Sequence, residues 1–363
     1  MQPCIPTPWR LAIGLLPLVL AGLAAHADPP AATTPRTYLC DRARTPIVVD
    51  GKLDDPAWTA APWSTPFVDI EGDAKPRPRL RTRMKLLWDD QYFYVAALLE
   101  EPHVWGTLTR HDSVIFRDND FEVFIDPDGD NHDYYEFEIN ALNTGWDLLL
   151  PKPYRDGGHA RDDWEIPGLK TATHVDGTLN DPSDTDRSWS VEIAFPWSAL
   201  AEHAHRPAPP RDGDQWRVNF SRVEWRPIIE GKTYRVTPGV REDNWVWSPQ
   251  GVIDMHQPER WGYVQFTTSA PGRAVFHPDP AGPVRDRLMR IYHAQKAYRE
   301  AHKAWAVSLD ALGLPPETPL EGEGRPVLRR IGPDDYEVSI SLAGPPRETW
   351  TVRADSRLTR RPE

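Results

Sequence analysis

Apolar and polar residues alternate with a period of two along much of this chain, and that pattern constrains the fold more than any other feature. Trp189, Val191, Ile193 and Phe195 fall on one side of an extended chain, with Ser190 and Glu192 on the other. Trp216, Val218 and Phe220 repeat the pattern against Arg217, Asn219 and Ser221. Phe121-Glu-Val-Phe-Ile125 and Tyr135-Glu-Phe-Glu-Ile139 flank the turn-forming run Asp126-Pro-Asp-Gly-Asp-Asn-His-Asp133. Arg81–Trp88 and Gln91–Leu99 flank Asp89-Asp90, which predicts a hairpin. Further strands are expected near 146–150, 169–175 and 261–266, with one helical turn at Pro196–Leu200. Many short strands with rich turns predict a mainly β fold, an antiparallel, jelly-roll-like β-sandwich over residues 38–267.

The period changes after a linker of Pro and small residues, 268–283. Val284, Leu288, Ile291, Tyr298, Ala301 and Trp305 mark one stripe of a helix expected to run to about Leu312, with Gly313 as its stop. Three short alternating runs follow, near 326–331, 336–342 and 348–354. Residues 284–363 therefore read as a small α+β domain, one long helix and an antiparallel meander. The order of its elements resembles the globular part of a type IV pilin, and a local appendage packed on the sandwich explains it equally.

At the other end, Arg10 precedes the apolar run Leu11–Ala25, and Ala25-His26-Ala27 offers a small-x-small cleavage site. This reads as a Sec signal peptide over 1–27, cut before Asp28, because the run is shorter than the ~20 residues a membrane span needs. Residues 28–37 read as a disordered leader. The expectation is an exported protein, periplasmic or extracellular, not inserted in a membrane. Cys4 leaves with the signal and Cys40 remains alone, so an internal disulfide is excluded and a large core must supply the stability. The net charge of −12 becomes −13 without Arg10, with residues 28–280 at about −15 and the rest at +2. Such a surface repels phosphate backbones and anionic lipid, which excludes nucleic acid as a natural partner. Neutral glycans and cations are compatible with it.

Thirteen of the sixteen tryptophans lie between Trp58 and Trp261. Most must be core, yet a Trp-rich, acidic, exported β protein also suits sugar binding, where rings stack on pyranose faces. Six motifs sharpen this reading. They are Pro46-Ile-Val-Val-Asp-Gly-Lys-Leu-Asp-Asp-Pro-Ala-Trp58, Leu87-Trp-Asp-Asp-Gln-Tyr-Phe-Tyr-Val-Ala96, Asp118-Asn-Asp-Phe-Glu-Val-Phe-Ile-Asp126, Tyr134-Tyr-Glu-Phe-Glu-Ile-Asn-Ala141, Trp189-Ser-Val-Glu-Ile-Ala-Phe-Pro-Trp197, and Trp247 through Gly262. In this order they resemble carbohydrate-binding module family 9, within a wider superfamily of DOMON-like sandwiches, and they cover about residues 45–266.

The resemblance implies a sugar clamped between two aromatics, with carboxylate, amide and basic side chains bonding its hydroxyls. Its clamp positions fall on Phe116 and near Met255, both departures from the tryptophans of sugar-binding members. Phe116 can stack; Met255 cannot in the same way, and Trp245 and Trp247 are the expected substitutes. Glu122, Glu138 and Asn140 match positions that present polar groups to the sugar, although Glu122 also reads as part of a solvated face. The Pro/Gly/Asp-rich loop 151–168 adds Arg155, His159 and Trp164 as possible contacts.

Asp126, Asp128 and Asp130 sit at positions one, three and five of a loop, and with Asp133 they form a candidate calcium site. Gly129 falls at position four where an EF-hand needs its glycine at six, and Phe137 takes position twelve in place of a bidentate Glu, so the alternative is a plain hairpin turn. Calcium is the one cofactor the resemblance implies. Asp50, Asp54 and Asp55 read as a turn bonding nearby backbone amides. A haem reading would draw on Met84, Met255, His111, His132 and His256, but Met255 and His256 would face opposite ways on an extended strand. The chain carries no nucleophile elbow, zinc pair, phosphate loop or dinucleotide fingerprint. The expected function is non-catalytic binding of a mono- or oligosaccharide in polysaccharide capture or breakdown. The alternatives are a structural or assembly sandwich without a small ligand, and a haem-binding redox module.

Overall fold

The computed structural model describes residues 33–315, 319, 321–344 and 347–362. The expected signal peptide and the first five residues of the leader lie outside them. Thr37, the last residue of that leader, already opens the first strand.

Strands follow in chain order: β1 (Thr37–Arg42), β2 (Val68–Asp69), β3 (Thr82–Trp88), β4 (Tyr92–Glu100), β5 (Asp120–Asp126), β6 (Tyr134–Asn140), β7 (Gly145–Leu150), β8 (Lys170–Asp176), β9 (Ser188–Pro196), β10 (Gln215–Glu224), β11 (Pro227–Glu230), β12 (Thr233–Val236), β13 (Asp243–Val246) and β14 (Gly262–Thr267). All but β11 and β12 join one hydrogen-bonded sheet, whose main path runs β7-β6-β5-β10-β14-β1-β3-β4-β9-β8; β13 pairs with β10, and β2 with β13. The sheet curls at β1, and its two halves pack face to face. Phe137 of one half meets Phe195 of the other at 5.9 Å between ring centroids, and Trp216 meets Trp197 at 5.5 Å. The alternating residues Trp189, Val191, Ile193, Phe195, Trp216, Val218 and Phe220 all lie in this shared core, with Cys40 buried among them.

One departure from the expected topology is informative. β1 pairs in parallel with both β14 and β3, so the sandwich is not purely antiparallel. Its register with β3 is only two residues, Asp41↔Leu87 and Arg42↔Trp88, which is what lets the sheet turn there.

The first sequence motif is a docking device. Gly51 has φ +84°, and a Cβ on it would meet the Thr173 backbone at 2.5 Å, so only glycine fits. Glu192 of β9 accepts hydrogen bonds from the Asp50 and Gly51 amides and from Trp58 Nε1. Asp55 accepts from the Val48 amide and Asp50 from the Lys52 amide, as the turn reading predicts. Trp58 itself sits in the short helix α1 (Pro56–Ala60) and is fully buried. The expected helical turn after β9 is α2 (Trp197–Leu200).

The C-terminal domain has its own core, built by helix α3 (Gly282–His302) and a four-stranded sheet, β15 (Val327–Arg330), β16 (Tyr336–Leu342), β17 (Glu348–Arg353) and β18 (Leu358–Pro362). The helix ends at His302, ten residues before the expected end at Leu312. Lys303 takes a left-handed conformation, φ 57°, and its amide closes on the Arg299 carbonyl. Trp305 still enters the core from the following segment, donating to the Asp334 carbonyl, which explains why it appeared to continue the helical stripe. The linker is held against the sandwich, with Gln265 bonding both Val275 and His277.

Candidate functional site

On β5 and β6, Phe121, Val123 and Ile125 point into the sandwich together with Tyr135, Phe137 and Ile139. The opposite face carries Asp120, Glu122 and Phe124 beside Glu136 and Glu138. In register, Glu122 lies directly across from Glu138, and Phe124 from Glu136. The solvated-face reading of Glu122 is not met, because loops cover this face and leave Glu122 only 6% exposed.

Those loops enclose a recess of about 230 Å³. Glu122, Glu136 and Glu138 form its floor, Phe116, Trp146 and Tyr154 stand around it, and Met255, His256, Glu242 and Asn244 line it together with the apolar Phe124, Leu148 and Val223. Phe116 is held from both sides: its amide donates to Glu138 at 3.0 Å and its carbonyl accepts from Trp225 Nε1 at 2.8 Å. Phe116 and Tyr154 remain 41% and 45% exposed, so each offers a ring edge or face to a ligand. The Tyr154 ring is braced by His256, 4.5 Å away between centroids. Among the described residues, no lysine or arginine lines the recess.

Four of the expected contacts therefore meet in one place: Phe116, Glu122, Glu138 and Met255. Met255 and His256 both line the recess, contrary to the expectation of opposite orientations, because residues 251–257 form bends rather than a strand. Tyr154 and Trp146 were not anticipated. Tyr154 adjoins Arg155 in the loop already singled out, and Trp146 sits at the start of an expected strand.

The remaining expected contacts lie elsewhere. Trp245 and Trp247 are buried in the core, at 3% and 1% exposure, so neither ring is free to stack on a sugar. Arg79 and Arg222 sit against Trp245, and Trp247 packs on Phe220. Trp164 stacks on Tyr135 inside the core. Asn140 is fully buried; its amide donates to Leu108 and Asp118, and its oxygen accepts from Leu142 and Thr144. Arg155 turns away from the recess opening, binding Tyr292, the His256 carbonyl and Glu259. His159 is exposed and does not line the recess.

Asp126, Asp128 and Asp130 each bring an oxygen within 4.8 Å of the others, a span that fits the all-oxygen shell of calcium. Asp133 does not join them; it faces His205 and Arg357. The loop also docks the C-terminal domain. Asp130 accepts from Arg357 Nε at 3.0 Å, Asn131 donates to the Ser356 carbonyl, and the Leu358 amide donates to the Asp130 carbonyl. The residues of the haem reading are dispersed: Met84 is core, His111 lies beside Asp112, Asp147 and Glu165, and His132 reaches Asp355.

A wider cleft of about 1090 Å³ lies between the sandwich and the C-terminal domain. Arg285 pairs with Asp279 there, and Arg217 lies over the Tyr263 ring.

Burial dominates the electrostatics of the recess floor. It pushes the Glu122 carboxyl up to about 7, opposed only by the Ser221 hydroxyl. Burial, and then the Glu122 charge, raises Asp120, Glu136 and Glu138 well above the carboxylate range. Burial lowers His256 to about 4, so it is neutral near pH 7. A carboxyl raised in the folded state holds its proton where the unfolded chain has lost it, so its contribution is favourable at low pH and is lost as pH rises. In buffer free of divalent ions, the melting temperature is therefore expected to fall from about pH 5 to above pH 7. Glu122→Gln together with Glu138→Gln is expected to flatten that slope, which thermal melts across the range would read; an unchanged slope would contradict it.

The apolar-cored sandwich thus carries an open, aromatic-sided polar recess of a size that suits a small ligand. Residues 49–209 match the family model described as carbohydrate family 9 binding domain-like; the segment includes Phe116, Glu122, Glu138, Trp146 and Tyr154 and stops short of the sixth motif, Trp247 through Gly262. The chain is similar to exoglucanase XynX of Acetivibrio thermocellus and to endo-1,4-beta-xylanase A of Thermoanaerobacterium saccharolyticum, 26% identical to each over 153 residues. These matches cover 42% of this chain but only 12% and 11% of those relatives. Among solved structures it is similar to a family 9 carbohydrate-binding module from Caldicellulosiruptor kristjanssonii in complex with cellotriose, at 17% identity and a TM-score of 0.43, covering 68% of this chain and all of that one.

Proposed function

We propose that this chain is an exported, non-catalytic carbohydrate-binding protein that holds a short stretch of glycan in the recess, beside separate enzymes that break polysaccharide down. The observation that carries the reading is the recess itself: exposed Phe116 and Tyr154 rings around a floor of hydrogen-bonding carboxyl groups. An apolar ring face suits the C–H face of a pyranose, and the carboxyls accept from its hydroxyls. Buried polar groups left unpaired would reject a sugar lacking the matching hydroxyl. Affinity is expected to be modest, since a small ligand offers few atoms. Export rests on the apolar run and the small-x-small site near Ala27. Calcium held by Asp126, Asp128 and Asp130 belongs to the same proposal, supported by the spacing of their oxygens.

The test is a glycan array followed by calorimetry on the full chain, with cellotriose, the ligand named for the Caldicellulosiruptor module, as the first probe. Saturable binding of one glycan class is the expected result. A folded protein that binds no glycan would overturn the reading and favour an assembly module.

A further inference from the structure

Four carboxyl groups meet beneath the recess with no positive charge among them. Asp120, Glu122 and Glu138 each bring one oxygen within 4.8 Å of the other two, and Glu136 adjoins them on the same face of β6. All four are at least nine-tenths buried, at 0%, 6%, 2% and 4% exposure respectively. Among the described residues no lysine, arginine or histidine ion-pairs with any of them. The strand register aggravates the crowding, because like charges directly opposite on neighbouring strands repel, and Glu122 faces Glu138 in this way.

The hydrogen bonding is incomplete as well. Asp120 Oδ1 accepts from the Val223 amide, and Glu138 accepts from the Phe116 amide. Asp120 Oδ2 and Glu136 Oε2 have no partner, although both are buried. An unpaired polar atom in an interior costs about 1–3 kcal/mol, and more when charged, so two in one cluster call for a missing partner. The donor set is all carboxylate oxygen, which selects a hard cation over zinc or copper. Calcium–oxygen bonds of about 2.3–2.6 Å put ligands on opposite sides of the ion up to ~5 Å apart, so all three oxygens can reach one ion.

We propose that Asp120, Glu122 and Glu138, with Glu136 beside them, form a binding site for a hard divalent cation of the calcium class in the floor of the recess. The site is separate from the Asp126–Asp130 loop; it shares Glu122, Glu136 and Glu138 with the floor proposed to face a glycan, and a calcium titration without glycan reads it by itself. Bound there, the ion compensates the Glu122–Glu138 repulsion and gives the orphaned Asp120 oxygen a partner. The recess floor then carries positive as well as negative charge.

The experiment is a calcium titration of the chelator-treated full-length protein near pH 7, read by calorimetry, by native mass spectrometry for stoichiometry and by thermal melts. The variants are D120N/E138Q and, for the loop, D128N. The proposal predicts a calcium ion that D128N retains and D120N/E138Q loses, together with a rise in melting temperature that disappears in D120N/E138Q. A second ion lost only in D128N leaves this prediction intact. If the double variant does not fold, E122Q reads the same loss with a single near-isosteric change. Calcium uptake by D120N/E138Q or E122Q equal to that of the native protein, or uptake abolished by D128N alone, would overturn the proposal. So would the absence of any calcium binding, because the carboxyls would then be sharing protons instead.

Discussion

Arg155→Ala is expected to destabilise the protein by about 3–5 kcal/mol, the range for removing one partner of a buried ion pair. Arg155 bonds Glu259 at 2.9 Å, the His256 carbonyl at 2.9 Å and Tyr292 at 3.2 Å, so it ties the loop after β7 to the segment before β14 and to helix α3. Burial alone would raise the Glu259 carboxyl, but Arg155 and His293 override it and hold the carboxyl below the usual carboxylate range. Without the guanidinium, Glu259 keeps only His293, and the C-terminal domain loses one of its fastenings. Lys296 and Tyr292 would still hold Asp156, so the domain loosens before it separates. Denaturant unfolding should show a lower midpoint, and limited proteolysis should cut first near the linker. A midpoint within about 1 kcal/mol of the native protein would contradict this account.

Trp247→Ala is expected to cost a comparable 3–5 kcal/mol, roughly the figure for emptying a buried tryptophan site. Trp247 is 1% exposed and lies so close to Gly262 that a Cβ there would meet its ring at 2.3 Å. The loss should appear in thermal or denaturant melts. At temperatures where the variant remains folded, glycan affinity should be close to native, because the ring does not line the recess. A selective loss of binding with stability intact would instead restore Trp247 to the sugar site, as the sequence suggested.

The contrast between Trp247 and Phe116 shows where sequence reasoning succeeds and where it stops. Period two found nearly every long strand, because burial on one face leaves a repeating trace in residue type. The short strands and the parallel one escaped it: β2, β11, β12 and β13 are brief, and β1, which pairs with β14 and β3, has its alternation interrupted by Asp41 and Arg42. Helix α3 was legible from its stripe, but its end was not, since Lys303 adopts the left-handed turn without a glycine. At the site, the family resemblance located Glu122 on β5 and Glu138 on β6. Trp245 and Trp247 looked available only because sequence proximity to the clamp position stood in for geometry. Tyr154 was hidden by the same limitation, being brought to the recess by a fold contact with His256 across 102 positions of chain. Arg155 and Asp130 are polar residues with partners far along the chain, and only the fold reveals that those partners are other protein groups.

The most direct test of the central claim, that the recess is the carbohydrate site, is a calorimetric titration of the array-identified glycan into the native protein, Phe116→Ala and Tyr154→Ala. Each ring is expected to contribute roughly 1–1.5 kcal/mol, so each variant should bind about tenfold more weakly while melting near the native temperature. Native affinity in both variants would place the glycan elsewhere on the molecule and contradict the account.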